Sequence, residues 1–380
     1  MKQFAVFSAV FLLLALFFAF PAAAESADGD GQVTVRARVA QVLSDETVST
    51  PYSGGQIITR VLTLRVEILE GAFEGQQATV RQTFDEISLP SAYPAKAGDL
   101  LFVSLALDEQ NHLTGSAADY VRDLPIALLA GAFLLFLILF GRWKGVKTVL
   151  SLAVTCFVVF GLFFPLAVRG LSPVWLSLLC AALMTGFTLF LVCGFTRKAL
   201  SAILGCLGGL GAAGVLAASF SYAMRLSGIV DEEAAYLRFL SDEFVLDFKG
   251  LLFAAIIIGA SGAAMDVAVS IASSLDELIQ KAPGISPRHL FFSGAAIGRD
   301  IMGTMSNTLI LAYVGGSIHL ILLLYAYPVP FVNIINREMV AAEILIALCG
   351  SIGMLATIPL TALITALLYR RAGFAGKTPE

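Results

Sequence analysis

Residues 124–140 read LPIALLAGAFLLFLILF, seventeen consecutive positions without a charge. A helix crossing a lipid core of ~30 Å needs ~20 apolar residues, so this run suffices once its flanks contribute. The chain changes character on either side of it. Toward the C-terminus comparable runs recur at 149–168, 173–194, 199–222, 250–273, 301–327 and 340–368, giving seven expected spans. Toward the N-terminus, residues 25–122 alternate apolar and polar side chains. Composition agrees: 58% of the 380 residues are hydrophobic and 14% charged, with a mean hydropathy of +0.86. Soluble domains sit near ~45–50% apolar and ~25% charged. The expected fold class is an α-helical polytopic membrane protein with an N-terminal extracytoplasmic small β-barrel or OB-like domain.

The first 26 residues, MKQFAVFSAVFLLLALFFAFPAAAES, carry Lys2, an apolar stretch and an A-x-A pattern at Ala22–Ala24. This predicts a signal peptide over 1–24 cut near Ala24, the rival reading being an uncleaved first helix; either way the next segment is exported. In residues 25–122, VTVRARVAQVL, ITRVLTLRVEIL, QATVRQTF and DLLFVSLAL have strand periodicity, separated by turns such as YSGGQ and YPAKAGD. Four or five strands in so short a segment suggest a barrel or sandwich. His112 stands alone there, and no Ser/His/Asp pattern accompanies it.

Lys and Arg cluster in GRWKGVKT, FTRKA, IQKAPGISPRH and the YRRAGFAGK tail, which fall on one side of the spans. With the transmembrane domain at 123–372, the positive-inside rule puts the 373–380 tail in the cytoplasm. The loop from Arg225 to Lys249 holds six carboxylates against three basic residues, and EEAAYLRFLSDEF within it has amphipathic-helix spacing. The net charge of −4 and the lack of a basic face exclude nucleic-acid binding. Cys156, Cys180, Cys193, Cys206 and Cys349 all lie in apolar segments without CxxC or zinc spacing, so neither a metal centre nor a cofactor is expected. No HExxH, GxSxG, paired-aspartate or P-loop motif is present, which argues against an enzyme and against ATP-driven transport.

Ionisable and amide side chains inside a span are costly and mark candidate sites. In the fifth span Asp266, Ser270, Ser273 and Glu277 share one helix face, which Gly259 and Gly262 extend. In SGAAIGRDIMGTMSNTLILAYVGGSIH, Ser286–Pro287 is a helix start and Gly298 and Gly303 bracket an expected break at Arg299–Asp300. Asp300, Thr304 and Asn307 share a face, and Gly315–Gly316 offers a second break before His319, itself read as an interhelical residue. In FVNIINREMVAAEIL, Asn336 and Glu343 share a face while Asn333, Arg337 and Glu338 lie at the outer entrance. Pro359 is expected to kink the seventh span. The structural alternative for Asp266 is an ion pair with Arg299. Gly205 and Gly209 have the spacing of a close helix contact.

The stretches GAAMDVAVSIASSLDEL, IGRDIMGTMSNTLILAYVG, NREMVAAEIL and GSIGMLATIPLTALI resemble the YibE/F-like family of bacterial multi-pass membrane proteins, over about residues 120–370. That resemblance implies a permease-like integral protein of the bacterial plasma membrane, of unestablished substrate. It maps the family's polar block onto Asp266, Arg299, Asp300, Asn307, Asn336, Glu338 and Glu343.

Two functions are expected. The first is a transporter or permease for a small solute or ion, in which Asp266 and Glu343 bind a proton or cation. Ser270, Arg299, Asp300, Thr304, Asn307, Asn336 and Glu338 then line or flank the path, and alternating protonation of a desolvated carboxylate supplies the mechanism. The second is a scaffold or sensor whose β-domain binds a membrane or envelope protein, the buried polar groups serving only to hold helices in the bilayer together.

Overall fold

The computed structural model describes residues 33–52, 55–85, 93–107, 113–230, 232–239, 246–282, 284–326 and 330–374. The expected signal peptide and His112 lie outside the described residues. The chain divides into two compact units, Met1–Phe136 and Leu137–Glu380.

The first unit contains a closed barrel of β1 (Val33–Tyr52), β2 (Gly55–Ile68), β3 (Gln77–Phe84), β4 (Leu100–Leu107) and β5 (Leu113–Tyr120), in the order β1-β2-β3-β5-β4. All neighbours are antiparallel except β3 and β5. The period-2 pattern places Val35, Ala37, Val39, Leu62, Leu64, Val66, Val80 and Leu101 in one core, each at most 3% exposed. Gln82 points inward among them, and its Oε1 accepts a bond from the Ala95 amide at 3.0 Å. Register shifts at Val39/Gln41 and Val42/Ser44 twist β1, so it pairs with β4 at one end and β2 along its length. A Cβ on Gly115 would lie 2.0 Å from the Ser104 carbonyl oxygen, so only glycine lets β5 approach β4 there. Past the barrel, Val48–Tyr52 and Gly55–Thr59 pair only with each other among the described residues. Near the base of this free-standing hairpin, Arg60 donates two bonds to Asp45, at 2.8 and 2.6 Å.

The helices are α1 (Asp123–Cys156), a π-helical stretch Phe157–Phe163, α2 (Phe164–Val168), α3 (Pro173–Cys193), α4 (Arg197–Ala223), α5 (Glu232–Phe239), α6 (Phe248–Lys281), α7 (Pro287–Gly316), α8 (Ile318–Ala326), α9 (Phe331–Ile335) and α10 (Glu338–Phe374). Pro165 accounts for the π-helical stretch, since its ring excludes the carbonyl four residues back. Helix starts follow side-chain caps: Thr196 accepts from the Ala199 amide, Asp247 from Gly250 and Ser286 from His289. Gly194, at φ +71°, ends α3. The amphipathic helix expected in the acidic loop is α5.

Among the described residues five helices are long and apolar enough to cross a membrane, or six when the bent pair α7–α8 counts as one span. The longest, Asp123–Val168, has 46 residues and is broken at Arg142 (φ 48°, ψ −126°). Beyond that break Gly145 returns against the Leu137 carbonyl, so the GRWKGVKT segment does interrupt the helix where the sequence predicts a loop. Counting its halves separately raises six to the expected seven. One boundary moves: α7 starts at Pro287 and runs unbroken through Gly298 and Gly303, where a break was expected. Its crossing therefore begins well before residue 301. The second expected break is present, a 64° bend between Gly316 and Ile318. α10 continues through Pro359 as one helix.

In lipid, association rests on close packing rather than on water exclusion, which favours small residues at contacts. α4, α6 and α10 form the centre. A Cβ on Gly205 would fall 2.0 Å from Thr361 Oγ1, and one on Gly209 would fall 1.9 Å from Thr357 Oγ1. Both glycines of the GxxxG pair thus make the close contact their spacing predicts. Gly298 is likewise a contact rather than a break: its Cβ would lie 2.1 Å from Ile358 Cγ2.

Candidate polar path along α6, α7 and α10

The 3.6-residue period of α6 divides it cleanly. Ala260, Ala264, Val267, Ala268, Ile271 and Leu275 are fully buried against α3, α4, α7 and α10. Gly259, Gly262, Asp266, Ser270 and Glu277 are exposed in the chain, with Ser273 half-buried among them. The predicted small polar face therefore exists, and it lies on the outside of this chain. The Asp266 carboxylate has no hydrogen-bond or ion-pair partner among the described residues, and the expected pairing with Arg299 is not formed. Ser270 Oγ donates to the Asp266 carbonyl at 2.7 Å, leaving its lone pairs toward the face. Glu277, at the end of that face, pairs with Lys281 one turn on, at 2.6 Å.

Two contacts set the antiparallel register of α6 and α7: Tyr313 Oη lies against Gly259, and Gly294 lies against Leu275. Counting from either one places Asp266 level with residues 303–306, Asp300 level with 269–272 and Asn307 level with 262–265. Thr304 thus stands at the depth of Asp266, and Asp300 at that of Ser270. Thr304 Oγ1 donates to the Ile301 carbonyl at 2.9 Å, again spending its proton within its own helix. Arg299, Asp300 and Asn307 are exposed and make no hydrogen bond or ion pair among the described residues.

Glu343 sits elsewhere. Gly350 of α10 packs on Ala260 and on Tyr313 Oη, so Glu343 lies about thirteen residues, roughly 20 Å, nearer the α6 N-terminus than Asp266. The Tyr313 hydroxyl is buried between Gly259 and Gly350 without a partner among the described residues, an unusual state for a buried donor. This side chain was not singled out in the sequence, where it reads as one aromatic in an apolar run. The polar groups therefore do not converge on one point. From the α6 N-terminal end they descend as Glu343 and Tyr313, then Asn307, Thr304 with Asp266, and Asp300 with Ser270. Successive levels are about 4–9 Å apart at 1.5 Å per residue.

Two further candidates lie off this path. Glu338 Oε1 accepts from the Ser227 amide, the Ser227 hydroxyl at 2.7 Å and the Gly228 amide at 3.2 Å, tying the start of α10 to the turn after α4. Asn336 Nδ2 donates to the Val332 carbonyl at the end of α9, at 2.7 Å. At the opposite end of the bundle, the Tyr369 hydroxyl donates to Asp276 at 2.6 Å, a contact between α10 and α6 that periodicity alone does not announce. A cavity of about 510 Å³ lies at the α6 N-terminal end, lined by Tyr222, Arg225, Asp247, Lys249 and Phe253 among others, and includes none of the path residues.

Exposed faces on other helices carry large apolar side chains: Leu128, Leu129 and Phe140 on α1 are 67–83% exposed, and Val215 on α4 is 68% exposed. Such faces suit lipid. A charged side chain at the centre of a lipid core costs ~2.5–3.5 kcal/mol, so the α6–α7 face requires water or protein opposite it. These features define a polytopic helical membrane protein with a polar face exposed along two of its crossing helices. The chain belongs to the YibE/F-like protein family, whose model matches residues 129–371, nearly the whole helical part. No curated protein and no solved structure matches the chain.

Proposed function

We propose that the protein is a permease of the bacterial plasma membrane, moving a proton or small cation along the polar levels of α6, α7 and α10. The observation that carries this reading is the unpartnered Asp266 carboxylate, at the depth of Thr304 on a face that lipid cannot solvate. Polar groups continue above and below it at spacings that one or two waters bridge. The bend at Gly315–Gly316–Ser317 supports the same reading, because broken helices expose backbone groups to transported ions. Arg197, Lys198, Lys281 and Arg288 gather at one end of the bundle, which we take as cytoplasmic, with the barrel on the outer side. No covalent chemistry is part of this proposal.

The test is ion flux into proteoliposomes driven by a pH or cation gradient. Asp266→Asn and Glu343→Gln are each expected to lower flux at least tenfold while the protein still elutes as a folded species. Undiminished flux in both variants ends the proposal. A second reading, a scaffold or sensor, draws support from the hairpin Val48–Tyr52/Gly55–Thr59. It projects about 17 Å from the barrel at ~3.3 Å per residue and exposes Val48 and Ile58. Replacing 48–59 by a two-residue turn should then leave flux intact and remove binding to an envelope partner.

A further inference from the structure

The outward face of α7 has a pattern of its own. Ala296, Asp300, Gly303, Asn307, Ile310 and Val314 recur at alternating steps of four and three residues, the spacing of a coiled-coil seam. All six are exposed, on the side of the helix opposite the stripe Leu290, Gly294, Gly298 and Met305 that packs on α6 and α10. Gly303 meets open space, whereas Gly294 and Gly298 are filled by neighbouring side chains. Small residues thus line both faces of α7, and only one of the two faces has its neighbour among the described residues.

We propose that a second copy of this chain supplies the other, α7 packing in parallel on its counterpart about a two-fold axis along the membrane normal. Charge complementarity selects that occupant. Both copies cross the membrane in the same sense, so each residue meets its own depth in the partner helix. Arg299 and Asp300 flank the seam on opposite sides, about 100° apart, and cannot face each other within one helix. Under a two-fold axis the side of one helix bearing Arg299 faces the side of the other bearing Asp300. Two reciprocal ion pairs form, satisfying four charges that have no ion pair among the described residues. Seven residues on, Asn307 meets Asn307 of the second copy at the axis. Paired amides at such a position hydrogen-bond and fix register and oligomeric state. Asp266 and Thr304 lie beside this seam, so the dimer walls off the polar path from lipid whether or not ions pass along it.

The test is disulfide formation in native membranes, using a background in which the five native cysteines are replaced by alanine. Asn307→Cys should oxidise to a covalent dimer, and Thr308→Cys, turned away from the seam, should not. Asn307→Leu should weaken self-association in liposomes by about tenfold, the loss of one interhelical amide pair. Asp300→Arg should lower the dimer fraction, and the exchanged pair Arg299→Asp with Asp300→Arg should restore it, which separates lost association from misfolding. A monomer at every protein-to-lipid ratio overturns the proposal. So does equal crosslinking at 307 and 308, or a charge exchange that fails to rescue, either of which points to lipid or another protein on this face.

Discussion

Replacing Gly209 by alanine tests the helix packing that positions the polar path. The added Cβ would lie 2.6 Å from the Gly353 carbonyl oxygen, a backbone atom, where ordinary contact begins at 3.4 Å. The helices must therefore separate by about 0.8 Å. Thr357, 1.9 Å from the same Cβ, cannot rotate aside without losing its bond to that carbonyl at 3.1 Å. Overpacking of this kind costs ~1–3 kcal/mol. Alanine also favours the helix by ~0.5–1 kcal/mol over glycine, which obscures the single variant. Gly211→Ala cancels that term, since Gly211 lies two residues on in the same helix and its Cβ meets nothing within 4 Å. The two variants should differ by ~1–3 kcal/mol, with Gly209→Ala the less stable. Thermal unfolding in detergent should then separate them by about 2–12 °C, at ~2–4 °C per kcal/mol for a unit of this size. A Gly209→Ala protein as stable as Gly211→Ala refutes the close contact between α4 and α10.

Glu338→Ala should cost ~1–3 kcal/mol by leaving the Ser227 and Gly228 donors unmet, while Glu338→Gln keeps most of the stability; protease sensitivity of residues 226–230 reads the difference. Tyr313→Phe removes a buried hydroxyl that has no partner among the described residues, so it should raise the unfolding temperature slightly yet lower ion flux in liposomes. In the barrel, the Arg60 bonds hold Asp45 below the ordinary aspartate value of 3.8. That stability is present above 3.8 and fades as the pH falls through the lowered value; acid titration by circular dichroism should show it gone in Asp45→Asn. Both side chains are in water, so high salt should shrink the effect.

The properties set by local periodicity were legible in the sequence. Strand alternation announced the barrel, and apolar runs announced the spans. The i, i+4, i+7, i+11 spacing announced the polar face of α6. Contacts between distant segments were not. A glycine in an apolar run reads equally as a hinge or as a place where another helix comes close. Gly298 proved to be the second, Gly315–Gly316 the first. Spacing tells which residues share a face but not which depth on another helix they meet. Asp266 and Glu343 therefore looked like one site and stand about 20 Å apart. Glu338 sits at the helix entrance as expected, but the turn it holds is 110 residues away along the chain. Tyr313 carried no signal because its position between two glycines depends on the packing of three helices.

A proton or cation path along α6 and α7 requires that water, not lipid, meets that face. Single cysteines at Ser270 and Thr304, in a background without native cysteines, test it through reaction with a charged, membrane-impermeant thiol reagent. Reaction requires a thiolate, and a thiolate requires water. Ser270→Cys and Thr304→Cys should label readily, while Val215→Cys, 68% exposed on α4, should stay inert in lipid. If Ser270→Cys and Thr304→Cys are as unreactive as Val215→Cys, the face is dry and the proposed path does not exist.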